Sequence, residues 1–421
     1  MAEGALEGAV DPGLLHHGDA EVRGSGLLDL AVNVHPHGPP DFLREALRAA
    51  VDDVCAYPDP DPSERTLARL HGRAAEEVLV TAGATEAFTL VARMRPWRRP
   101  VVVHPQFTEP HAALLQAGHR VQTVLLPLGR TITEAAVPEH ADLVVVGNPT
   151  NPTGTLHPRE EVVSLLRPGR VVLVDEAFMD AVPGEEESWA GERREGLVVV
   201  RSLTKTWAVP GVRAGYLVGD PTSVAALRRM RPPWSFSTAA AATVATTSSE
   251  RGVAERRRRA VEVQSWRAGL QDALERCGVP HLPSAAPFVL ARPGAEVHGA
   301  LRSGGVAVRR CDTFPGLGPE WVRIAARPPA VLAPLVELLR ELPVERPGRN
   351  QSRPEPRQDE RGLDEAGGGD GGAVDDGGGT ATGQSGRDGL TGGGHRALLG
   401  RGVRGRGHGS RDAARPVHPI G

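Results

Sequence analysis

The amino-acid sequence predicts an α/β protein built on a mostly parallel sheet that lies between two layers of helices. Short runs of valine and leucine recur along the chain, as expected of strands that are buried on both faces. Helical patterns separate several of these runs, as in successive β–α units. Polar residues follow the ends of several runs. We therefore expect a three-layer α/β/α large domain, followed by a smaller α+β C-terminal domain.

The predicted elements follow from these patterns in order. Candidate strands of the large domain are the apolar runs at 78–80, 101–103, 144–146, 171–174, 198–200 and 216–218. Candidate helices between them lie at 85–94, 108–118 and 157–167. An alanine-rich stretch then predicts one long helix over 239–276. The segments PFVLAR, VAVRR and WVRIAAR predict further strands, and a terminal helix covers 329–342.

Composition shifts predict four regions. These are an N-terminal arm at 1–40, a large domain at 41–235, a small domain at 236–345 and a tail at 346–421. The tail holds 22 glycines among 76 residues and no aromatic residue, so it cannot bury enough apolar surface to fold. We expect the tail to be disordered.

Charge and composition exclude several classes of protein. The formal net charge of −3 gives no chain-wide positive field for nucleic acid or an anionic membrane. No apolar run approaches the length of a membrane span, and the first residues lack the pattern of a secretory signal. The three scattered cysteines form neither a disulfide framework nor a zinc motif. These features predict a cytoplasmic protein without nucleic-acid or membrane partners.

Lysine usage points to one candidate catalytic residue. Of 49 basic residues, 48 are arginine and only Lys205 is lysine. Lysine differs from arginine in that its amine can lose a proton and attack a carbonyl. A position that keeps lysine in such a chain is therefore a candidate for imine chemistry, although chance alone could also leave one lysine.

Unusual polar residues follow four candidate strands. Gly83, Asn151, Asp175 and Lys205 each come shortly after a strand ends, and Asn148 precedes Asn151 in the motif NPTNPTG. Ligands of open parallel sheets bind beyond the carboxyl ends of strands. We expect these residues to face one site.

The motifs offer complementary chemistry, although each also has an ordinary structural explanation. TAGATEA at 81–87 could present backbone amides to an anion at a helix start, or could merely cap the helix. VDEAF at 174–178 places an acid at a strand end, where it could pair with a cationic ring nitrogen or cap a helix. SLTK at 202–205 and PGVRAGY at 210–216 together offer a hydroxyl, an amine and an arginine.

In this order the segments resemble the fold type I enzymes that use pyridoxal 5'-phosphate (PLP), specifically the class I and II aminotransferase superfamily, over about residues 15–343. The resemblance implies that Lys205 binds the PLP aldehyde as an imine and that Asp175 pairs with the pyridine nitrogen. Asn151 would bond the phenolic oxygen, and Phe107 would stack on the ring. The resemblance further implies a set of phosphate contacts, with Tyr57 reaching the cofactor of the neighbouring subunit in a homodimer: Tyr57, Gly83, Ala84, Ser202 and Arg213.

Within that superfamily the sequence most resembles the histidinol-phosphate aminotransferase branch, which includes the L-threonine O-3-phosphate decarboxylases of cobalamin biosynthesis. The segment HHGD at 16–19, which contains Gly18, is similar to the decarboxylase loop that meets substrate phosphate. In NVHPHGPP, His35 replaces a second asparagine of the family pattern and leaves Asn33 as the expected substrate contact. Phe178 stands where many aminotransferases have a tyrosine.

By the same resemblance, Arg309 and Arg323 are expected to bind the anionic ends of the substrate. The implied activity is decarboxylation of L-threonine O-3-phosphate to an aminopropanol phosphate, with transamination of histidinol phosphate as the alternative. A non-catalytic PLP-binding regulator is an alternative of another class. The intact Lys205 and Asp175, and the short segment before the fold, favour an enzyme.

Two other patterns are interpreted as non-functional. The run Arg256 to Arg259 lies in a helical segment that points its side chains in all directions, so a solvated face is expected. His35 and His37 have a spacing that can bind metal, but no neighbouring cysteine or carboxylate completes a site. The sequence therefore predicts no metal.

Overall fold

Within residues 10–344, which are the residues that the computed structural model describes, seven strands form the central sheet in the order β2-β8-β7-β6-β5-β3-β4. All neighbouring pairs are parallel except those of β8, which runs antiparallel to β2 and β7. The bounds are β2 Val78–Thr81, β3 Pro100–His104, β4 Gln122–Leu125, β5 Leu143–Gly147, β6 Val171–Asp175, β7 Leu197–Ser202 and β8 Gly215–Gly219. The predicted parallel sheet and its six candidate strands are confirmed.

Both faces of this sheet are buried, which explains the continuous apolar runs. In β5, Val144 and Val146 belong to one hydrophobic cluster, whereas Leu143 and Val145 belong to another. Successive side chains of a strand point to opposite faces, so the two clusters are the cores above and below the sheet. The predicted three-layer arrangement follows from these two cores.

Ten α-helices lie within residues 10–344. Their bounds are α1 Asp41–Ala49, α2 Asp61–Leu70, α3 Ala84–Arg93, α4 Glu109–Gln116, α5 Arg159–Val163, α6 Pro221–Met230, α7 Thr238–Thr247, α8 Glu250–Arg276, α9 Val297–Ser303 and α10 Pro329–Glu341. Helix α5 is shorter than the pattern at 157–167 predicts.

The prediction of one helix over 239–276 is wrong, because the segment forms two helices. Ser249 separates α7 from α8 with an extended backbone, and its side chain accepts a hydrogen bond from the Gly252 amide at 3.1 Å. This serine cap starts a new helix. A β-carbon on Gly252 would come within 2.4 Å of the Thr247 carbonyl oxygen, so the corner between the helices requires glycine.

The smaller sheet of the described residues consists of β11, β12 and β9, all antiparallel. A separate two-stranded parallel pair joins β1 in the N-terminal segment to β10. The bounds are β1 Leu28–Asp29, β9 Phe288–Ala291, β10 Val306–Ala307, β11 Arg309–Arg310 and β12 Val322–Ala325. The N-terminal segment therefore contributes the strand that pairs with β10.

The tail at 346–421 lies outside the described residues, and the four domain boundaries stay a prediction. Between residues 10 and 344, no helix is both long and apolar enough to cross a bilayer.

Candidate active site

A cavity of about 550 Å³ opens at the carboxyl edge of the central sheet. It brings together residues from the N-terminal segment, from the strand ends and from the smaller sheet. Of the residues predicted for the site, eleven line the cavity: Gly18, Asn33, Ala84, Phe107, Asn151, Asp175, Ser202, Lys205, Arg213, Arg309 and Arg323. The sequence-based expectation that these side chains face one place agrees with this geometry.

The reversed strand β8 explains why an arginine lies at this edge. Gly215, the first residue of β8, pairs with Thr81 at the end of β2 and with Ser202 at the end of β7. Because β8 starts where its neighbours finish, Arg213 enters the cavity from the loop before a strand, whereas Lys205 enters from the loop after one.

Gly83 and Arg213 form a tight contact at the start of α3. Gly83 has φ +78°, and a β-carbon on it would lie 2.6 Å from Nη2 of Arg213. Arg213 itself adopts a left-handed conformation (φ 61°, ψ 56°), which is uncommon for a residue other than glycine. The helix N-terminus has no side-chain cap, so the first amides of α3 and the Arg213 guanidinium offer donors to an anion.

Asp175 is buried and Lys205 is partly buried, and desolvation shifts the pKa of both groups. Burial, together with the nearby Arg323 and Arg213 cations, lowers the pKa of the Lys205 amine to about 8. Burial raises the pKa of Asp175 to about 6, against the opposing effects of the Ala177 amide and Lys205. A cation beside Asp175 would further favour its ionised form, and Lys205 holds a neutral, nucleophilic amine at mildly alkaline pH.

Arg323 joins the two asparagines that were predicted to contact ligands. Its Nη1 donates to Oδ1 of Asn151 at 2.5 Å, and its Nη2 donates to the Ala31 carbonyl at 2.8 Å. With the Asn33 amide oxygen facing the guanidinium, Asn33 accepts from Nη2 at 3.2 Å and from Nε at 3.1 Å. Burial, and then the neighbouring Arg309, lower the pKa of Arg323 to about 9, so this site favours an added anion.

Arg309, the first residue of β11, connects the N-terminal segment to the smaller sheet, which forms part of the cavity wall. It donates to the His16 carbonyl at 2.6 Å and to the Thr313 hydroxyl at 2.7 Å. Its nearest acid is Glu21, at 4.0 Å. Burial lowers the pKa of Arg309 as well. Two buried guanidinium groups thus lie on one wall without a carboxylate in direct hydrogen-bonding contact.

Gly18 occupies a position that has no room for a side chain. A β-carbon there would lie 2.7 Å from the Ala31 carbonyl oxygen and 3.3 Å from Nη2 of Arg323. The loop therefore packs directly on the arginine that the sequence assigned to substrate.

Of three further residues from the sequence analysis, two lie outside the cavity and one lines it. Tyr57 does not line this cavity; it is 78% exposed and its ring packs on Trp234 with centroids 4.6 Å apart. Asn148 is buried and exchanges hydrogen bonds with the backbone of His157 at 2.8 and 3.1 Å, so it shapes the loop and does not face the cavity. Phe178 lines the cavity and packs edge-on against Phe288.

Sequence reasoning missed three polar residues near the cavity. Asp19 and Thr204 line it, and Thr204 shares a 2.8 Å hydrogen bond with Ser202. Glu21 is buried behind the wall, where it pairs with His16 at 3.1 Å and His298 at 3.4 Å. Asp19 and Thr204 belong to the motifs HHGD and SLTK and could have been noticed, whereas His298 becomes a neighbour of Glu21 only through the fold.

A comparison with protein families decides the classification. The model of the family described as aminotransferase class I and II matches residues 25–339, which include both sheets and most of the cavity. The chain belongs to this family. Aminotransferases of classes I and II are PLP-dependent enzymes, so the chain is an enzyme with PLP as its cofactor.

Relatives within the family carry two different names. A histidinol-phosphate aminotransferase of Mycobacterium tuberculosis is 42% identical over 330 residues, which are 76% of this chain and 90% of that protein. A threonine-phosphate decarboxylase of Salmonella typhimurium is 32% identical and covers 75% of this chain and 91% of its own length. The specific reaction therefore does not follow from family membership.

Solved structures give the same pair of names. The L-threonine-O-3-phosphate decarboxylase of Porphyromonas gingivalis superimposes with a TM-score of 0.68 at 26% identity, covering 75% of this chain and 99% of that one. A histidinol-phosphate aminotransferase of Sinorhizobium meliloti, solved in complex with PLP, gives 0.69 at 21% identity over 80% of this chain and 98% of that one. The fold type I architecture predicted from the sequence is confirmed.

The residues at the cavity fit PLP. The space that a β-carbon would fill at Gly83 is kept free beside Arg213, which suits a phosphate group. Lys205 makes no side-chain hydrogen bond to another described residue, which leaves its amine available to an aldehyde. Asp175 is an acid whose ionised form burial disfavours, so a cationic ring beside it would be a favourable partner.

Proposed function

We propose that this enzyme decarboxylates L-threonine O-3-phosphate to an aminopropanol phosphate, a step of cobalamin assembly. The proposal rests on the pair Arg309 and Arg323, two buried guanidinium groups on the cavity wall in addition to Arg213. Threonine phosphate carries two anionic groups, a carboxylate and a phosphate, whereas histidinol phosphate carries only a phosphate. A wall with two buried cations suits the doubly anionic substrate.

Further residue assignments within this proposal follow the cavity. Gly83, Ala84, Ser202 and Arg213 hold the cofactor phosphate, and Phe107 covers the ring. Asp175 holds the ring nitrogen in its cationic form, and Asn151 contacts the ring oxygen. Bound PLP supplies an electron sink for the substrate α-carbon.

The protein itself determines which bond of the α-carbon breaks. Arg323 and Asn33 hold the substrate carboxylate, and Arg309 and the Gly18 loop receive the phosphate. These contacts would let the protein side chains decide the orientation of the carboxylate. Lys205 would hold the cofactor through its amine, and the same side chain, once free and protonated, would supply the proton that replaces carbon dioxide at the α-carbon. Phe178, unlike a tyrosine at this position, has no hydroxyl group that could bond to the cofactor ring.

The experiment compares the two reactions in one preparation. Holoenzyme is incubated with L-threonine O-3-phosphate without any 2-oxo acid, and carbon dioxide and aminopropanol phosphate are quantified. A parallel reaction contains histidinol phosphate and 2-oxoglutarate. Carbon dioxide release without an acceptor is expected. Efficient conversion of histidinol phosphate with no carbon dioxide from threonine phosphate would refute the proposal.

Transamination of histidinol phosphate is the second candidate. It is favoured by the mycobacterial relatives at 42% identity that carry that name. In that reaction Arg309 and Arg323 would have to bind the two carboxylates of the 2-oxo acid acceptor, so the same wall would serve the second half of the reaction.

We also propose that the enzyme is a homodimer. An exposed apolar patch, formed by Val51, Val54, Tyr57 and Trp234, has side chains that are 62 to 78% exposed. A second copy that covers this patch would bring Tyr57 toward the neighbouring cofactor, as the family resemblance implies.

A further inference from the structure

His35, His37 and Glu262 form a cluster that has no part in the chemistry above. Each offers one ligand atom, and these three atoms all lie within 4.8 Å of one another. The two histidines lie in the loop between β1 and α1, and Glu262 lies in the middle of α8. Nε2 of His35 is 3.5 Å from Oε2 of Glu262. The fold thus supplies the carboxylate that the sequence around the histidines lacks.

Polar atoms in this cluster are buried without partners. Both ring nitrogens of His35 lack a hydrogen bond, and its side chain is only 1% exposed. Oε2 of Glu262 is also buried and unpaired. A buried polar atom without a hydrogen-bond partner costs about 1–3 kcal/mol, and in this cluster one such nitrogen of His35 faces one such oxygen of Glu262.

We propose that His35, His37 and Glu262 bind one divalent transition-metal ion, Zn²⁺ by ligand type, with water in the remaining position. Two imidazole nitrogens and one carboxylate oxygen form a common ligand set for such ions. Ligand atoms about 3.3 Å apart would complete a tetrahedral Zn²⁺ site with bonds near 2 Å, so small side-chain rotations suffice. His37 is exposed and gives the ion a path from solvent.

Both arginines beside the cluster are paired with glutamates. Arg258 and Arg259 donate to Glu255 at 2.7 Å, and Arg258 also donates to Oε1 of Glu262 at 2.5 Å. The latter bond leaves Oε2 of Glu262 directed at His35, as an outer partner of a metal ligand does.

Aromatic packing fixes the two rings. The Trp266 ring lies 5.3 Å from the centroids of both His35 and His37. The indole therefore forms an apolar wall beside the ligand atoms, which limits the rotation of both imidazoles.

The position of the cluster links it to the active site. The His35 amide donates to the Lys205 carbonyl at 3.1 Å, and Asn33 is two residues earlier in the same loop. A bound ion would fasten this loop to α8. We therefore expect metal binding to raise the thermal stability of the folded protein.

The test uses the full-length holoenzyme without an affinity tag, freed of excess PLP and stripped of metals with a chelator. Zn²⁺ binding is measured by calorimetry, and Co²⁺ serves as a probe because its visible absorption reports coordination. Variants His37→Ala and Glu262→Gln each remove one ligand without cutting into the core. The matched control is His140→Ala, since His140 is an exposed histidine outside the cluster.

The expected result is one site that binds Zn²⁺, gives a Co²⁺ spectrum typical of nitrogen and oxygen ligands, and raises the melting temperature. His37→Ala and Glu262→Gln should each weaken this site by at least roughly tenfold, the lower end of what loss of even an outer partner costs. His140→Ala should leave it unchanged. Absence of Zn²⁺ binding, or binding that neither cluster variant weakens, would overturn the proposal.

Discussion

Burial changes the pKa of single residues in this protein and thereby their chemistry. Lys205 is surrounded by Arg323, Arg213, Asp19 and Asp175, and its pKa falls to about 8 because burial and the two arginines outweigh the two acids. The sequence identified this residue from the scarcity of lysine, from its position after a strand and from the family resemblance. It could not predict the pKa, because Arg323 and Asp19 come from distant segments and the degree of burial depends on the fold.

The lowered pKa of Lys205 predicts how the apoenzyme captures PLP. Only the neutral amine attacks the aldehyde, so the capture rate should rise roughly tenfold per pH unit below pH 8 and level off above it. A free lysine analogue should instead keep gaining rate to about pH 10.4. Stopped-flow absorbance gives the profile, and borohydride reduction with peptide mapping should place PLP on Lys205. A profile that parallels the free analogue would contradict the buried environment.

Adjacent arginines offer a matched pair for testing substrate binding. Arg309 is buried at the cavity, whereas Arg310 is exposed and pairs with Asp312. Arg309→Met should lower kcat/KM by roughly 10- to 150-fold, since a hydrogen bond to a charged group contributes about 1.5–3 kcal/mol. Arg310→Met should change it little.

PLP affinity, measured by fluorescence titration, should be unaffected in both arginine variants, which separates substrate binding from cofactor binding. A substitution of Arg323 would test substrate binding less cleanly, because Arg323 also donates a hydrogen bond to Asn151. Equal losses of activity in Arg309→Met and Arg310→Met would show that Arg309 does not contact substrate.

At the level of elements, the sequence patterns predicted the strands that are buried on both faces. They missed a strand whose exposed residues interrupt the apolar run. Strand β4 was missed because it is an edge strand on which three of its four residues are exposed. The break between α7 and α8 was missed because a helical pattern continues on both sides of it, although serine and threonine favour caps over helix interiors. The turn from β2 into α3 was predicted, but its contact with Arg213 depends on the reversed strand β8.

The turn from β2 into α3, which contains Gly83, gives a prediction with a close control. Gly83 and Gly169 share a positive φ, +78° and +77°, but only at Gly83 would a β-carbon meet Arg213. Alanine at either position should cost about 1–2 kcal/mol of stability through backbone strain. Gly83→Ala should additionally weaken PLP binding at least tenfold, measured by equilibrium titration. Equal PLP affinities in the two variants would argue against a phosphate site at this turn.

At the scale of the whole molecule, three distant parts of the chain complete one cavity. The sequence predicted eleven of the lining residues because the fold type places strand ends together. It could not predict Glu21, whose partners His298, Arg302 and Arg309 lie nearly 300 residues away. For the same physical reason it did not connect Glu262 to His35 and His37.

Removal of the tail is predicted to have little effect. Residues 10–344 contain both sheets and the cavity, and the glycine-rich composition of 346–421 offers no core. Truncation after Glu345 should leave the melting temperature and turnover essentially unchanged, by calorimetry and the carbon dioxide assay. A large fall in either would show that the tail contributes to the folded enzyme.

Dimer formation is predicted to depend on the exposed apolar patch. Trp234→Glu, at a side chain that is 62% exposed, should shift the protein toward monomer in sedimentation velocity, because a charge would be buried at the contact. Val261→Glu is the control, since Val261 is 58% exposed but belongs to α8 and not to the patch. A dimer that survives Trp234→Glu unchanged would place the interface elsewhere.

The pairing of β1 with β10 also orders events during synthesis. Leu28 leaves the ribosome early, yet its partner Val306 follows only when most of the described chain has been made. His16 and Gly18 likewise wait for Arg309 and Arg323. Closing so long a loop is entropically costly until the later strands exist. The segment around β1 is therefore among the last to reach its folded position, and the cavity of the nascent chain is incomplete until β12 has emerged.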